Sequence, residues 1–128
     1  MVLLLDTHVL LWALDNPERL PPDVAAQIES PETTVYFSAA SIWEIAIKTA
    51  LGKVDFQYSP EEIAHAAEET GFLELPVSSA HGAKVARLPL HHRDPFDRLL
   101  IAQTVLMPAQ LLTADSVLVP YSELVRLI

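Results

Sequence analysis

Four carboxylates stand in largely apolar or helix-opening stretches of the chain: Asp6 in "LLLDTH", Glu44 in "SIWEI", Asp97 in "DPFDR" and Asp115 in "LLTAD". Asp6 follows the apolar run Val2 to Leu5, where an ionised group costs free energy unless something compensates it. Each acid also has an ordinary structural explanation. Asp6 could be the N-cap of the helix that follows, and Ser41-Ile42-Trp43-Glu44 fits a capping box. Asp94-Pro95 reads as N-cap and first helical residue, leaving Asp97 as a favourable acid near the positive end of a helix dipole. Asp115 could simply make a turn.

Singly, those explanations suffice; together the acids argue for chemistry. Four clustered negative charges raise one another's pKa values unless cations are present. Mg²⁺ or Mn²⁺ is the natural counterion, taking oxygen ligands and held by one or two carboxylates per ion. Such a centre suits phosphodiester hydrolysis, one ion activating water and a second, about 3.5–4 Å away, stabilising the leaving oxygen. Thr7 and Ser38 are the hydroxyls placed to orient a water or phosphate, with Ser38 equally readable as a helix-entry residue. No cofactor beyond metal is implied. His91 and His92 are adjacent, and His8, His65 and His81 lack ligand spacing, so zinc is not suggested. His92 and Arg93 are candidates for a phosphate contact, with a solvated loop the plainer alternative.

The elements that must position these groups follow from periodicity and punctuation. Val2 to Leu5 reads as a buried strand, and Asp6-Thr7 opens a helix ending near Asn16-Pro17. Pro22 to Glu29 is a second helix, Thr34 to Phe37 a second strand, and Ser41 to Leu51 a helix closed by Gly52. Ser59-Pro60-Glu61-Glu62 opens a helix that Gly71 ends, and Phe72 to Leu75 is a short strand. Ser79 to Arg87 and Asp94 to Leu106 are helical, Gln110 to Thr113 is a strand, and Leu124 to Ile128 holds a last short one. Strands alternating with helices predict one α/β domain over 1–128, three-layered, with a central parallel sheet. In such a sheet ligands bind outside the carboxyl ends of the strands, the edge to which all four acids would come.

Composition bounds the rest. The chain has 128 residues, 51% of them hydrophobic, enough for a sizeable core. Cysteine is absent, which excludes disulfides and thiolate metal sites and is compatible with a reducing cytosol. No apolar run is long enough to span a membrane, and no basic residue precedes the first as in a secretory signal, so a cytoplasmic location is expected. Eight basic and 17 acidic residues give a net charge of -9, which by itself argues against a nucleic-acid partner. Local charge softens that, because Lys84, Arg87, Arg93 and Arg98 crowd one stretch while six acids lie between Asp55 and Glu74. Trp12 and Trp43, inside apolar helices, read as core or subunit-interface residues ahead of base-stacking platforms.

The blocks "LLLDTHVLLWAL", "SAASIWEIAIKTALGKV", "HRDPFDRLLIAQ" and "LLTAD" resemble, in order and over essentially the whole chain, a PIN-domain protein, more narrowly a toxin ribonuclease of the VapC type. The resemblance implies Mg²⁺- or Mn²⁺-dependent cleavage of RNA by Asp6, Glu44, Asp97 and the less invariant Asp115. By it, Asp6 and Asp97 touch metal most directly, and Asp94 is a cap or an outer partner. It further implies a homodimer and a cognate VapB-type antitoxin whose tail blocks the acids, with the Trp12 and Trp43 helices as contact surfaces. RNA would be contacted through the metals and through Lys48, Lys53, Lys84, Arg87, Arg93 and Arg98. Two other classes compete. A catalytically inactive PIN-like binding module would keep the fold without needing Asp6. An aspartyl-phosphate phosphotransfer domain fits less well: a haloacid-dehalogenase-like site needs an Asp where His8 stands, and a receiver needs a late Lys, absent after Lys84.

Overall fold

A computed structural model describes residues 1–52 and 58–128. Its sheet contains β1 (Val2–Leu5), β2 (Thr34–Ser38), β3 (Leu73–Leu75), β4 (Gln110–Thr113) and β5 (Val125–Leu127). All pairings are parallel, in the order β3-β2-β1-β4-β5. The helices are α1 (Thr7–Asp15), α2 (Pro22–Glu29), α3 (Ala39–Ala50), α4 (Pro60–Thr70), α5 (Ser79–Val85) and α6 (Pro95–Leu106), with 3-10 turns at Pro17–Arg19 and Ser116–Tyr121. This is the three-layered α/β arrangement the sequence predicts.

The two faces of the sheet account for the apolar strands. Leu3, Leu5, Val35, Phe37 and Leu112 point one way into a core shared with Val9 and Leu10 of α1, Val24 of α2, Ile45 of α3 and Ile63 of α4. Leu4 and Leu111 point the other way, against Leu100 and Ile101 of α6, Leu118 and Val125. Successive side chains of a strand face opposite layers, so a strand covered on both sides must be apolar without alternation. β1 is the centre of the sheet: the chain builds outward from it through β2 and β3, then returns to its other side with β4 and β5. The crevice at that reversal, above the carboxyl ends of β1 and β4, is where ligands bind in open parallel sheets.

Local chemistry sets the helix ends. Ser59 caps α4 in a reciprocal box with Glu62, and Gly71 ends it with a φ of 100° that side-chain-bearing residues rarely adopt. Asp94 caps α6 by accepting from the backbone N–H groups of Phe96 (2.9 Å) and Asp97 (3.2 Å). One expected boundary is wrong in a way that matters. α3 starts at Ala39, two residues earlier than expected, because Ser38 is its N-cap. Ser41 and Glu44 therefore lie inside the helix and form no capping box. Lys53 and Asp55 lie outside the described residues.

Buried polar pairing fixes α6 against the rest. Ser38 Oγ donates to Gln103 Oε1 at 2.6 Å, and Gln103 Nε2 donates to the carbonyl of Pro76 at 3.2 Å, with Ser38 and Gln103 both fully buried. Removing one partner strands the other, at a cost of about 1–3 kcal/mol. Gln103→Leu should accordingly lower the unfolding free energy obtained from urea titration by that amount, whereas Ser38→Ala combined with Gln103→Leu should cost less than the two single changes summed.

Candidate metal centre at the carboxyl edge of the sheet

Asp6 is the residue immediately after β1 and the N-cap of α1. Its Oδ1 accepts from the backbone N–H of Val9 at 2.8 Å, and its Oδ2 accepts from the hydroxyl of Thr113 at the end of β4. Thr113 Oγ1 also accepts from the backbone N–H of Asp115 at 3.0 Å, so one buried threonine couples two of the acids. Burial pushes the Asp6 carboxyl above its usual range, and the bonds from Thr113 and Val9 oppose that rise.

Glu44 projects inward from α3 and is only 4% exposed. Its Oε1 lies 2.7 Å from Thr7 Oγ1, which is 2.9 Å from Ser41 Oγ, and its Oε2 pairs with Lys48 one helical turn on. A hydroxyl has one proton to give, so Thr7 donates to the carboxylate and takes its second bond from Ser41. The Glu44 carboxylate holds the Lys48 ammonium above its usual range. Thr7 lines the cleft, and its hydroxyl proton is engaged by Glu44.

Asp97, in the first turn of α6, meets His92: Nε2 of the imidazole is 2.9 Å from Oδ2 of the carboxylate. Burial, then the nearby Asp94, raise the Asp97 carboxyl from 3.8 to about 6, and the bond to His92 only partly offsets this. Of the two roles the sequence left open for Asp94, the cap is observed, and the side chain also lies close to the other cleft groups. One of its ligand atoms lies within 4.8 Å of those of His92 and Asp97.

These groups converge on one cleft of about 470 Å³, lined by Asp6, Thr7, His8, Trp12, Glu44, Lys48, His92, Asp94, Asp97, Ala114 and Asp115. Among the described residues five carboxylates and one ammonium face it, an imbalance that Lys48, engaged with Glu44, cannot neutralise. The donors are carboxylate oxygens with an imidazole beside them, a set that fits hard and borderline divalent cations. Burial first, and the neighbouring Asp94 and Glu44 after it, raise the Asp97 carboxyl in this cleft.

Three expected site residues lie elsewhere or do something else. Ser38 is committed to Gln103 and to the backbone N–H of Ala40 and does not line the cleft, so it is a cap and a tether for α6. Arg98 is not free to contact RNA: Nη1 donates to the carbonyl of Pro89 (3.0 Å) and the hydroxyl of Tyr121 (3.1 Å), and Nη2 to the carbonyl of Val85 (2.9 Å). Arg93 is exposed and does not line the cleft either. Conversely, nothing in the sequence points to Thr113, and Ser41 reads there as a cap, because their roles depend on which strand and helix they meet; His92 reads chiefly as a loop residue.

A parallel α/β domain with an acidic cleft at its strand reversal is the class these observations define. The chain belongs to the PIN domain family, whose sequence profile matches residues 3–123. A chain of the crystal structure of VapBC2 from Rickettsia felis bound to a DNA fragment from their promoter superposes on it with a TM-score of 0.68 at 13% identity. That match covers 100% of this chain and 98% of the other. No curated protein matches it in sequence.

The raised Asp97 has a sign that can be worked out. Between pH 3.8 and about 6 the folded protein holds a proton that the unfolded chain has lost, so stability falls as pH rises through that window. Above it the ionised group costs on the order of 2 kcal/mol. Asp97→Asn should therefore stabilise the metal-free protein near neutral pH by about 1–2 kcal/mol. The gain should shrink as pH is lowered through about 6 toward 4 in urea titrations.

Proposed function

We propose that the chain works as a single PIN domain over residues 1–128 and is a VapC-type toxin, an endoribonuclease that hydrolyses RNA phosphodiester bonds with Mg²⁺ or Mn²⁺. The observation that carries this reading is the convergence of Asp6, Glu44, Asp97 and Asp115 on one cleft at the strand reversal. Membership of the PIN family and the likeness to a VapBC2 chain support it.

Divalent ions bound there would lower the pKa of water and neutralise the charge that develops on phosphate and leaving oxygen. Asp6 and Asp97 are the acids we assign to direct ion contact, with Asp94 beside them. Glu44 and Asp115 complete the centre. The protein's own contribution is rigidity. Thr113 holds Asp6 and the backbone of Asp115 in one register, Thr7 with Ser41 orients Glu44, and Lys48 holds Glu44's second oxygen. No side chain serves as nucleophile in this scheme. The inactive-module alternative is disfavoured because all four acids are present and face the same cleft, and the aspartyl-phosphate alternative because His8 stands where a second Asp is needed.

The partner readings follow from the surface. A second cavity of about 400 Å³ lies between α1 and α4, lined by apolar Leu11, Trp12, Leu14, Ile63 and Ala66 and rimmed by Asp15 and Glu62. Trp12 lines both this cavity and the acidic cleft. We assign the cavity to a VapB-type antitoxin, apolar where it enters and basic where it passes toward the acids. Trp43 is 60% exposed and meets Phe96 edge to face at 5.2 Å, and we assign that outward side of α3 to a second copy of the chain. Among the described residues no helix is long and apolar enough to cross a membrane, and a cytoplasmic site of action is consistent with that.

The purified, partner-free protein should cut total RNA into discrete products with Mg²⁺ or Mn²⁺. EDTA should abolish the products, and Asp97→Asn should lower the rate at least about a hundredfold with the fold intact by circular dichroism. Uncut RNA from folded, metal-loaded protein would favour the binding module. Leu11→Asp should weaken antitoxin binding by about tenfold or more, a loss of at least about 1.4 kcal/mol, without changing cleavage by the free protein.

A further inference from the structure

His92 is half-buried, faces the cleft, and has been given no role beyond its bond to Asp97. Two observations give it one. The first is spacing. His92, Asp94 and Asp97 each present a ligand atom, and these lie within 4.8 Å of one another. The 2.9 Å between His92 Nε2 and Asp97 Oδ2 matches the separation of about 3.0 Å between neighbouring ligands of an octahedral ion with bonds of about 2.1 Å. The pair is placed as well for sharing an ion as for sharing a proton.

The second observation lies behind the cleft and involves none of the acids. The peptide of His92 is held on both sides: its N–H donates to the hydroxyl of Tyr121 at 2.9 Å, and its carbonyl accepts from Arg98 Nη1 at 3.4 Å. Tyr121 also accepts from the N–H of His91 at 3.1 Å and from Arg98 at 3.1 Å. Arg98 closes the clasp on the carbonyls of Val85, Leu88 and Pro89. These bonds fix the backbone that carries the imidazole, and a donor held in place before an ion arrives loses less affinity to ordering. A solvated loop residue needs no such restraint.

We propose that His92 supplies a nitrogen ligand beside Asp94 and Asp97, and that this donor makes the centre select a first-row transition divalent ion, represented by Mn²⁺, over Mg²⁺. The inference rests on the cation-dependent reading above and sharpens it. Mg²⁺ favours all-oxygen shells and dehydrates reluctantly, whereas imidazole is a better donor to the softer transition ions. A site of carboxylates alone would discriminate little between the two. One nitrogen tips it.

The test uses the full-length protein loaded with Mn²⁺ and read by pulsed electron paramagnetic resonance, which detects a ligating nitrogen independently of activity. The wild type should show ¹⁴N coupling and His92→Gln, folded by circular dichroism, should not. Calorimetry should find the Kd for Mn²⁺ raised about tenfold in the variant, with that for Mg²⁺ changed by less than about twofold. His92→Asn is the second variant if the longer amide disturbs the loop. Mn²⁺ bound without nitrogen coupling would overturn the proposal, as would coupling that survives in both variants, which would assign it to another histidine such as His8. No divalent binding at all would remove the cation-dependent reading together with this one. Nitrogen coupling in a protein that cuts no RNA would keep the ligand and discard the nuclease.

Discussion

Everything at the working end of this molecule depends on keeping a carboxylate nearly sealed from water at the point where a parallel sheet reverses direction. Asp6 must follow β1 directly, because only there do the backbone N–H groups opening α1 and the side chain ending β4 reach it together. A buried ionised acid without such partners would protonate or unfold its surroundings. The remaining acids are arranged around that fixed point by α3, α6 and the turn after β4. Their mutual repulsion is an electrostatic demand that a divalent cation would answer.

Much of this was legible in the sequence because local and global signals agree. The strands are apolar in runs of the right length, the α4 cap and its Gly71 terminator are written plainly, and alternating strands and helices specify a parallel sheet. The acids were legible as a set because strand ends and helix starts share one edge. What could not be read is whatever depends on a contact made far along the chain. Thr113 is an unremarked strand residue until β4 lies beside β1, and Arg98 looks like a free cation until four carbonyls between the end of α5 and the start of α6 turn toward it. Of the two roles the sequence allows Ser38, helix phase selects the helix-entry one. With α3 beginning at Ala39, its hydroxyl sits at the helix entrance facing Gln103, and Glu44 is carried to the cleft instead of back to a cap.

The same residues carry stability and chemistry in different proportions. Ser38 and Gln103 lie wholly on the structural side, holding α6 where its first turn presents Asp94 and Asp97. Thr7, Ser41 and Thr113 satisfy buried polar groups and thereby orient acids, so they belong to both. Asp97 works against the fold at neutral pH and is retained at a cost in stability, as strained or repelling groups at functional sites commonly are.

The bond between Thr113 and Asp6 joins residues 107 positions apart. A ribosome making this chain therefore releases β1, with its first acid, long before the strand that will hold that acid in place has been synthesised. β1 cannot take its middle position in the sheet until β4 arrives, and Asp115 comes later still. The cleft therefore cannot form around Asp6 before β4 is made, and a nascent chain that stops short of it carries Asp6, Glu44 and Asp97 without the threonine that couples Asp6 to the Asp115 turn. Topology itself thus keeps these acids from being gathered in one cleft until β4 has left the ribosome.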